Sequence, residues 1–256
     1  MKYTRFKSGN NINWGEIIGN EIVELSDNYI NPDSSKTNTS HSLSDVELIS
    51  PVTPGKVVAI GLNYKSHLGD KPAPAVPEPF YKLPDTIIGP GENIVIPKEA
   101  IAEKVKMQPE AELCLVMGKG GKRISQSDAL SHVFGYTCGN DVSARDWQQN
   151  DLQWWRAKSC DTFTSLGPII ETDLNHDSMN LRGYVNGKIT QEQTTSDLIH
   201  NVPKIIEFVS KFMTLLPGDV IMTGTPGDPP DIHPGDTTVV EIENLGTLTN
   251  FVKSGS

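Results

Sequence analysis

The sequence predicts an α+β fold rich in β-structure: a mixed β-roll or sandwich with few short helices, preceded by a small N-terminal β module. Three observations predict it. Short apolar or alternating runs recur along the chain, each bounded by Gly, Pro, Asn or Asp. Only one longer segment, 201–213, carries a helical period. Residues 26–44 are rich in Ser, Asn, Thr and Asp and almost lack large apolar side chains, which is a linker composition. The expected division is 1–44 for the module and its linker and 45–256 for the main domain.

Taken in order, Ser8-Gly9-Asn10-Asn11 and Gly19-Asn20 are turns, and the runs 16–18 and 21–25 flank the second as a hairpin. The main domain opens at Val46–Pro51. Lys56–Gly61 is a buried strand that runs into Leu62–Asp70 and then a Pro/Ala-rich stretch, 71–79, which suits a movable cover over a site. Residues 79–82 and 94–97 are short strands about the Gly89-Pro90-Gly91 turn. Residues 107–117 hold a buried strand, and Gly118–Lys122 is its hairpin connection. Ser127 is the expected N-cap of a short helix through Val133. Residues 134–139 are a strand that delivers Asn140-Asp141, and 180–195 alternate around Asn186-Gly187 as a second hairpin. Ile199, Val202, Ile205, Ile206, Val209 and Phe212 follow helical spacing and are expected as the apolar face of the helix, with Asn201 as its cap. Residues 220–223, 239–242 and 248–252 complete the sheet.

Composition narrows the function. Of 256 residues, 36% are hydrophobic and 21% charged, an ordinary globular balance. A net charge of −10 without a basic stripe argues against nucleic acid and anionic membrane surfaces. Cys114, Cys138 and Cys160 are too few and too scattered for a disulfide framework or a structural zinc site, so reduced thiols and a cytoplasmic location are expected. The first residues contain no apolar stretch of the signal-peptide kind, and no apolar run approaches a membrane span.

Glu110-Ala111-Glu112 opens the 107–117 strand. Side chains alternate on a strand, so the two glutamates share a face with Cα atoms roughly 7 Å apart. Like charges held that close repel, and one tends to stay protonated unless a cation intervenes. A divalent cation between them removes the conflict.

Further on, Gly139-Asn140-Asp141-Val142-Ser143-Ala144-Arg145-Asp146-Trp147-Gln148 is followed by Lys158 in Ala157-Lys158-Ser159 and then by Leu166-Gly167-Pro168. Together with Glu110-x-Glu112, Gly61-Leu62-Asn63-Tyr64-x-x-His67 and Gly224-Thr225-Pro226, these residues resemble the fumarylacetoacetate hydrolase family, in its acylpyruvase and 2-hydroxyhepta-2,4-diene-1,7-dioate isomerase-like branch. The resemblance spans about residues 48–252 in unbroken order. It implies that Glu110, Glu112 and Asp141 hold one divalent cation. It implies that Arg145 and Gln148 bind substrate oxygens, that Lys158 and Thr225 face the substrate, and that His67 is the general base on a closing cover. Asp70 stands where the family usually has a Glu paired with that His, and Gly69 and the prolines from Pro72 onward weaken a helix there. Homodimers are implied as well. Trp147, Trp154 and Trp155 are expected in packing or a subunit interface.

The chemistry is consistent with those residue types. Three carboxylates without Cys or His make an all-oxygen site, which selects Mg²⁺ or Mn²⁺. Such an ion polarises a carbonyl, a lysine beside it adds fixed positive charge, and a His–carboxylate pair activates water. The expected function is metal-dependent hydrolysis of a C–C bond in a 1,3-dicarbonyl acid such as an acylpyruvate. The alternatives are an enolate-forming isomerase, an oxaloacetate decarboxylase or tautomerase, and a non-catalytic keto-acid-binding relative.

Overall fold

Strands dominate the computed structural model, which describes residues 1–256, and its four α-helices are short. The chain begins with β1 (Lys2–Ser8), β2 (Asn11–Ile18), β3 (Glu21–Leu25), β4 (Lys36–Ser42) and β5 (Glu47–Ile49). β6 (Val57–Gly61), β7 (Glu78–Lys82), β8 (Ile87–Ile88) and β9 (Asn93–Ile96) follow, then α1 (Lys98–Ala102). β10 (Met107–Gln108), β11 (Ala111–Met117), β12 (Val133–Asp141) and β13 (Ser143–Ala144) lead to α2 (Arg145–Asn150) and α3 (Trp155–Lys158). The remainder is β14 (Thr164–Glu171), β15 (Asn180–Val185), β16 (Lys188–Thr194), α4 (Val202–Phe212), β17 (Val220–Met222), β18 (Thr237–Ile242) and β19 (Gly246–Ser254). The β-rich α+β expectation therefore holds. No helix is long and apolar enough to cross a membrane.

Twelve strands make one sheet, in the order β4-β3-β2-β1-β14-β12-β11-β17-β6-β7, with β5 paired to β1 and β8 to β14. A five-stranded sheet, β16-β15-β18-β19-β9, lies across it, and β10 pairs with β13. The N-terminal strands continue the main sheet, because β1 runs antiparallel to β14 through Lys2↔Glu171 and Tyr3↔Ile170.

β11 is at the centre of the packing, and all seven of its residues are buried. Leu113, Leu115 and Met117 face Leu181 and Val240 of the second sheet and Ile205, Ile206 and Val209 of α4. Cys114 and Val116 face the other way, onto Val57, Ala59, Leu166, Val220 and Met222. A strand covered on both faces needs no polar alternation, which explains its unbroken apolar run.

The hairpins at Gly19-Asn20 and Asn186-Gly187 form as expected. So does α4, whose cap is the Asn201 side chain accepting from Lys204 N–H at 3.1 Å, although Ile199 precedes the helix and Phe212 at its last position is exposed and not part of the buried face. Two local readings need correction. Residues 36–42 are a paired edge strand and not part of a linker. They carry no large apolar residue because five of the seven are exposed and the other two are only half-buried, so the alternation that marks a strand is missing. Ser127 caps nothing: the segment is a 3₁₀ turn, Ala129–His132, and the Ser127 hydroxyl bonds Ser125 instead.

Candidate metal centre

The register of β11 against β12 assembles three carboxylates. Ala111 pairs with Asn140 and Glu112 with Gly139. Asp141 N–H donates to Glu110 O at 3.0 Å, and Glu110 N–H donates to the Asn140 side chain at 2.9 Å. Glu110, Glu112 and Asp141 are thereby buried together, each offering an oxygen within 4.8 Å of the others.

Two glycines permit this approach. A Cβ on Gly139 would lie 2.2 Å from Cys114 Sγ, so no larger residue fits opposite Glu112. Gly224 has φ +104°, and a Cβ there would lie 2.8 Å from Asn63 Cβ. That conformation aims the Gly224 N–H at Glu112 Oε2, 2.7 Å away. The Asn63 amide in turn donates to His200 O and Thr223 O, at 3.0 and 2.7 Å, which ties the Gly61-Leu62-Asn63 segment to the strand end before Gly224.

Cations surround two of the three acids. Lys158 Nζ donates to Glu110 Oε2 at 2.6 Å and Asp141 Oδ2 at 2.8 Å. Arg145 also pairs with Glu110. Burial would raise the Glu110 carboxyl, but Lys158, Arg145 and His67 outweigh it and hold the group well below the usual range. Burial would likewise lower Lys158, yet Asp141 and Glu110 hold it above its ordinary value. Glu112 differs. Burial, then Asp141 and Glu110, push its carboxyl well above the usual range, and the Gly224 N–H offsets this only in part. No lysine or arginine side chain reaches it. A buried all-oxygen set with one uncompensated carboxylate fits a hard divalent cation such as Mg²⁺ or Mn²⁺.

One participant was not anticipated. Lys82, on β7 and completely buried, donates to Asp141 Oδ1 at 2.5 Å and also to the Lys158 carbonyl. Burial lowers its pKa, against the opposing pull of Asp141. Its only sequence signal is a lysine at the end of a short strand, Phe80-Tyr81-Lys82, where alternation leaves Tyr81 exposed and turns Lys82 inward.

The acids lie in a cavity of about 770 Å³ that is also lined by His67, Arg145, Gln148, Lys158 and Thr225. Eight of the nine residues read from the sequence thus come together. Arg145 is braced by Gln108 Oε1 at 2.6 Å and Gln148 Oε1 at 2.9 Å. The Thr225 hydroxyl is already engaged, donating to Ala111 O at 2.9 Å and accepting from Gln191 at 2.7 Å.

Asp70 is the residue left out. It is exposed and forms no hydrogen bond or ion pair with His67. The segment forms only a 3₁₀ turn, Lys65–His67, and Gly69 with φ +58° breaks it, so the two side chains do not meet as they would on a helix. His67 Nδ1 instead bonds Gly227 O at 2.5 Å, and Nε2 lies 3.8 Å from Glu110 Oε1. The tryptophans separate as well: Trp147 is buried in the core, Trp154 sits edge-on to Phe80 in the cavity wall, and Trp155 is largely exposed.

Comparison with known proteins identifies the family. Residues 56–253 match the family described as fumarylacetoacetate (FAA) hydrolase, C-terminal. The chain belongs to the fumarylacetoacetate hydrolase family. Residues 1–51 match a second description, Rv2993c-like, N-terminal. Among the relatives of this family member, protein Rv2993c of Mycobacterium tuberculosis is 45% identical over 84% of this chain and 82% of its own. The mitochondrial oxaloacetate tautomerase fahd2 of Xenopus laevis is 38% identical over 91% and 77%. Among solved structures, 5-carboxymethyl-2-hydroxymuconate delta-isomerase from Mycobacterium smegmatis superposes with a TM-score of 0.92 at 39% identity, covering all of both chains. Maleylpyruvate hydrolase from Sphingobium sp. SYK-6, solved with manganese(II) and pyruvate, gives 0.82 at 26%, again over all of both chains. Enzymes of this family use a divalent metal, and the family member described here carries a buried acidic triad suited to one.

Proposed function

We propose that this chain is a divalent-metal-dependent tautomerase or isomerase of 2-oxo dicarboxylates, moving a proton between carbon and the oxygen of a keto–enol system. The observation that carries the reading is the environment of His67. A carbonyl oxygen only accepts, so the 2.5 Å contact to Gly227 O places a hydrogen on Nδ1 and turns Nε2 toward the cavity. No carboxylate stands behind the ring, since Asp70 is exposed elsewhere. The His–carboxylate pair on which water activation would rest is therefore not assembled, while a proton transfer at carbon needs only Nε2. The tautomerase and isomerase names of the relatives point the same way.

Glu110, Glu112 and Asp141 would hold the ion, Mg²⁺ or Mn²⁺, which when bound supplies Lewis-acid polarisation of the substrate carbonyl. Arg145, braced by Gln108 and Gln148, presents its guanidinium to the carboxylate next to the keto group. Lys158 is a fixed, buried positive charge that stabilises negative charge developing on a substrate oxygen. His67 Nε2 removes the proton from the carbon beside the keto group and returns it. Thr225 shapes the wall, its hydroxyl being committed to the backbone. C–C bond hydrolysis is the second reading and lacks the dyad it calls for. The three cysteines are unpaired, which supports a reducing, cytoplasmic setting. Exposed Leu152 and Trp155, which flank Trp154 in the sequence, support a homodimer.

The test follows the enol absorbance of oxaloacetate. With Mg²⁺, the protein should speed its decay to the keto form without release of smaller acids. Unaltered decay, or cleavage products in step with the absorbance change, would overturn the reading.

A further inference from the structure

Lys106, Gln108 and Glu110 all line the cavity, while Met107 between the first two is buried in the core. Alternate residues on extended chain are spaced by roughly 7 Å, so the three mark points along one wall, with Lys106 roughly 13 Å from Glu110 between Cα atoms. Glu110 belongs to the acidic triad. Gln108 braces Arg145. Lys106 is anchored through its backbone, its N–H donating to the Asp146 carboxylate at 2.7 Å and its carbonyl accepting from Arg145 N–H at 2.9 Å. Its ammonium forms no ion pair, in contrast to Arg145 and Lys158, which both engage Glu110. The cavity's one acid outside the triad, Asp228, follows Gly227 and so belongs to the His67 wall.

The cavity also has an aromatic wall, Phe80 with Trp154 edge-on at 5.4 Å, and Lys158 Nζ lies 4.9 Å from the Phe80 ring. A volume of about 770 Å³ is in the range that holds drug-sized ligands, more than a four-carbon acid fills. The second carboxylate of such a short acid would stop short of Lys106, leaving it unused.

We propose that Lys106 is a specificity residue that reads the far carboxylate of a 2-oxo dicarboxylate longer than four carbons. The keto-acid end lies at Arg145 and the triad, the carbon chain passes Gln108 and the aromatic wall, and the far carboxylate meets the Lys106 ammonium. This rests on the reading of the site as one for 2-oxo dicarboxylates.

Calorimetric titration with Mg²⁺ present tests it, using 2-oxoheptanedioate and the matching monoacid 2-oxoheptanoate. Wild-type protein should bind the diacid about tenfold more tightly than the monoacid, the magnitude of one charge-assisted contact at a partly wetted site. Lys106→Ala should bring that ratio to about one, and Lys106→Glu should invert it. The ratio is internal to each variant, so a general loss of folding or of metal cancels. A ratio that survives Lys106→Ala, or that is lost in Lys71→Ala instead, overturns the assignment. Equal binding of both acids by wild type also overturns it and leaves the proposed function standing. Failure of wild type to bind either acid, in a protein that tautomerises oxaloacetate, overturns the assignment and leaves the proposed function standing, whereas failure on all three acids overturns the proposed function itself.

Discussion

The Glu112 carboxylate takes its one protein hydrogen bond from Gly224 N–H, 2.7 Å away, and no lysine or arginine pairs with it. It is the carboxylate that most needs an ion. Glu112→Gln keeps the shape and the Gly224 contact while removing the charge. Calorimetry should show Mg²⁺ or Mn²⁺ affinity lowered by about 100-fold or more, and turnover should be lost. Wild type at 100 times its dissociation constant should gain about 2.7 kcal/mol, a rise in Tm of roughly 5–10 °C that chelator abolishes. The variant should show no such rise. Equal ion affinity in both proteins would remove Glu112 from the site.

Lys82 is fully buried and joins Asp141 to the Lys158 carbonyl. Replacing it by Met fills the space but strips both acceptors of their donor. Chemical denaturation in chelator should show a loss of about 3 kcal/mol, in the range for breaking a buried pair. A midpoint within experimental error of wild type would show that the contact contributes nothing.

Gly139 faces Cys114 across the ladder, where a Cβ would lie 2.2 Å from the sulfur. Gly139→Ala should cost about 1–3 kcal/mol and weaken ion binding, since Glu112 is its strand partner. Cys114→Ala in the same chain should restore at least half of the lost stability, a coupling that a double-mutant cycle reads directly. Additive effects would place the clash elsewhere.

His67 and Asp70 should behave as unrelated residues. His67→Ala should reduce turnover by about 10²- to 10⁴-fold, the usual contribution of a general acid–base group. Asp70→Asn should stay within about twofold of wild type, because the side chain is exposed and does not meet the ring. A loss on Asp70→Asn comparable to that on His67→Ala would restore the dyad, and with it the case for hydrolysis.

The acidic triad was legible because a strand has a fixed period: Glu110 and Glu112 two residues apart must share a face, whatever the rest of the chain does. Asp141 became legible through its motif, and the register Ala111↔Asn140 then brought it alongside. Asp70 misled because residues three apart meet only on a helix, and Gly69 at φ +58° removes the helix. Lys82 was hidden because a lone lysine on a short strand carries no pattern, and only the fold reveals the carboxylate that draws it inward. The single long helix and the Asn-Gly hairpin were read correctly from period and turn chemistry, which are local. The edge strand β4 was not, since its residues are polar on both faces.

That polarity also bears on how the molecule behaves in a crowded solution. β4 ends the twelve-stranded sheet, and its outer rim of unpaired amides and carbonyls is a template on which another chain could add. The run Lys36-Thr37-Asn38-Thr39-Ser40-His41-Ser42 offers an arriving strand no greasy surface to hold. The composition that makes the segment look unstructured thus guards the open border of the sheet against runaway assembly.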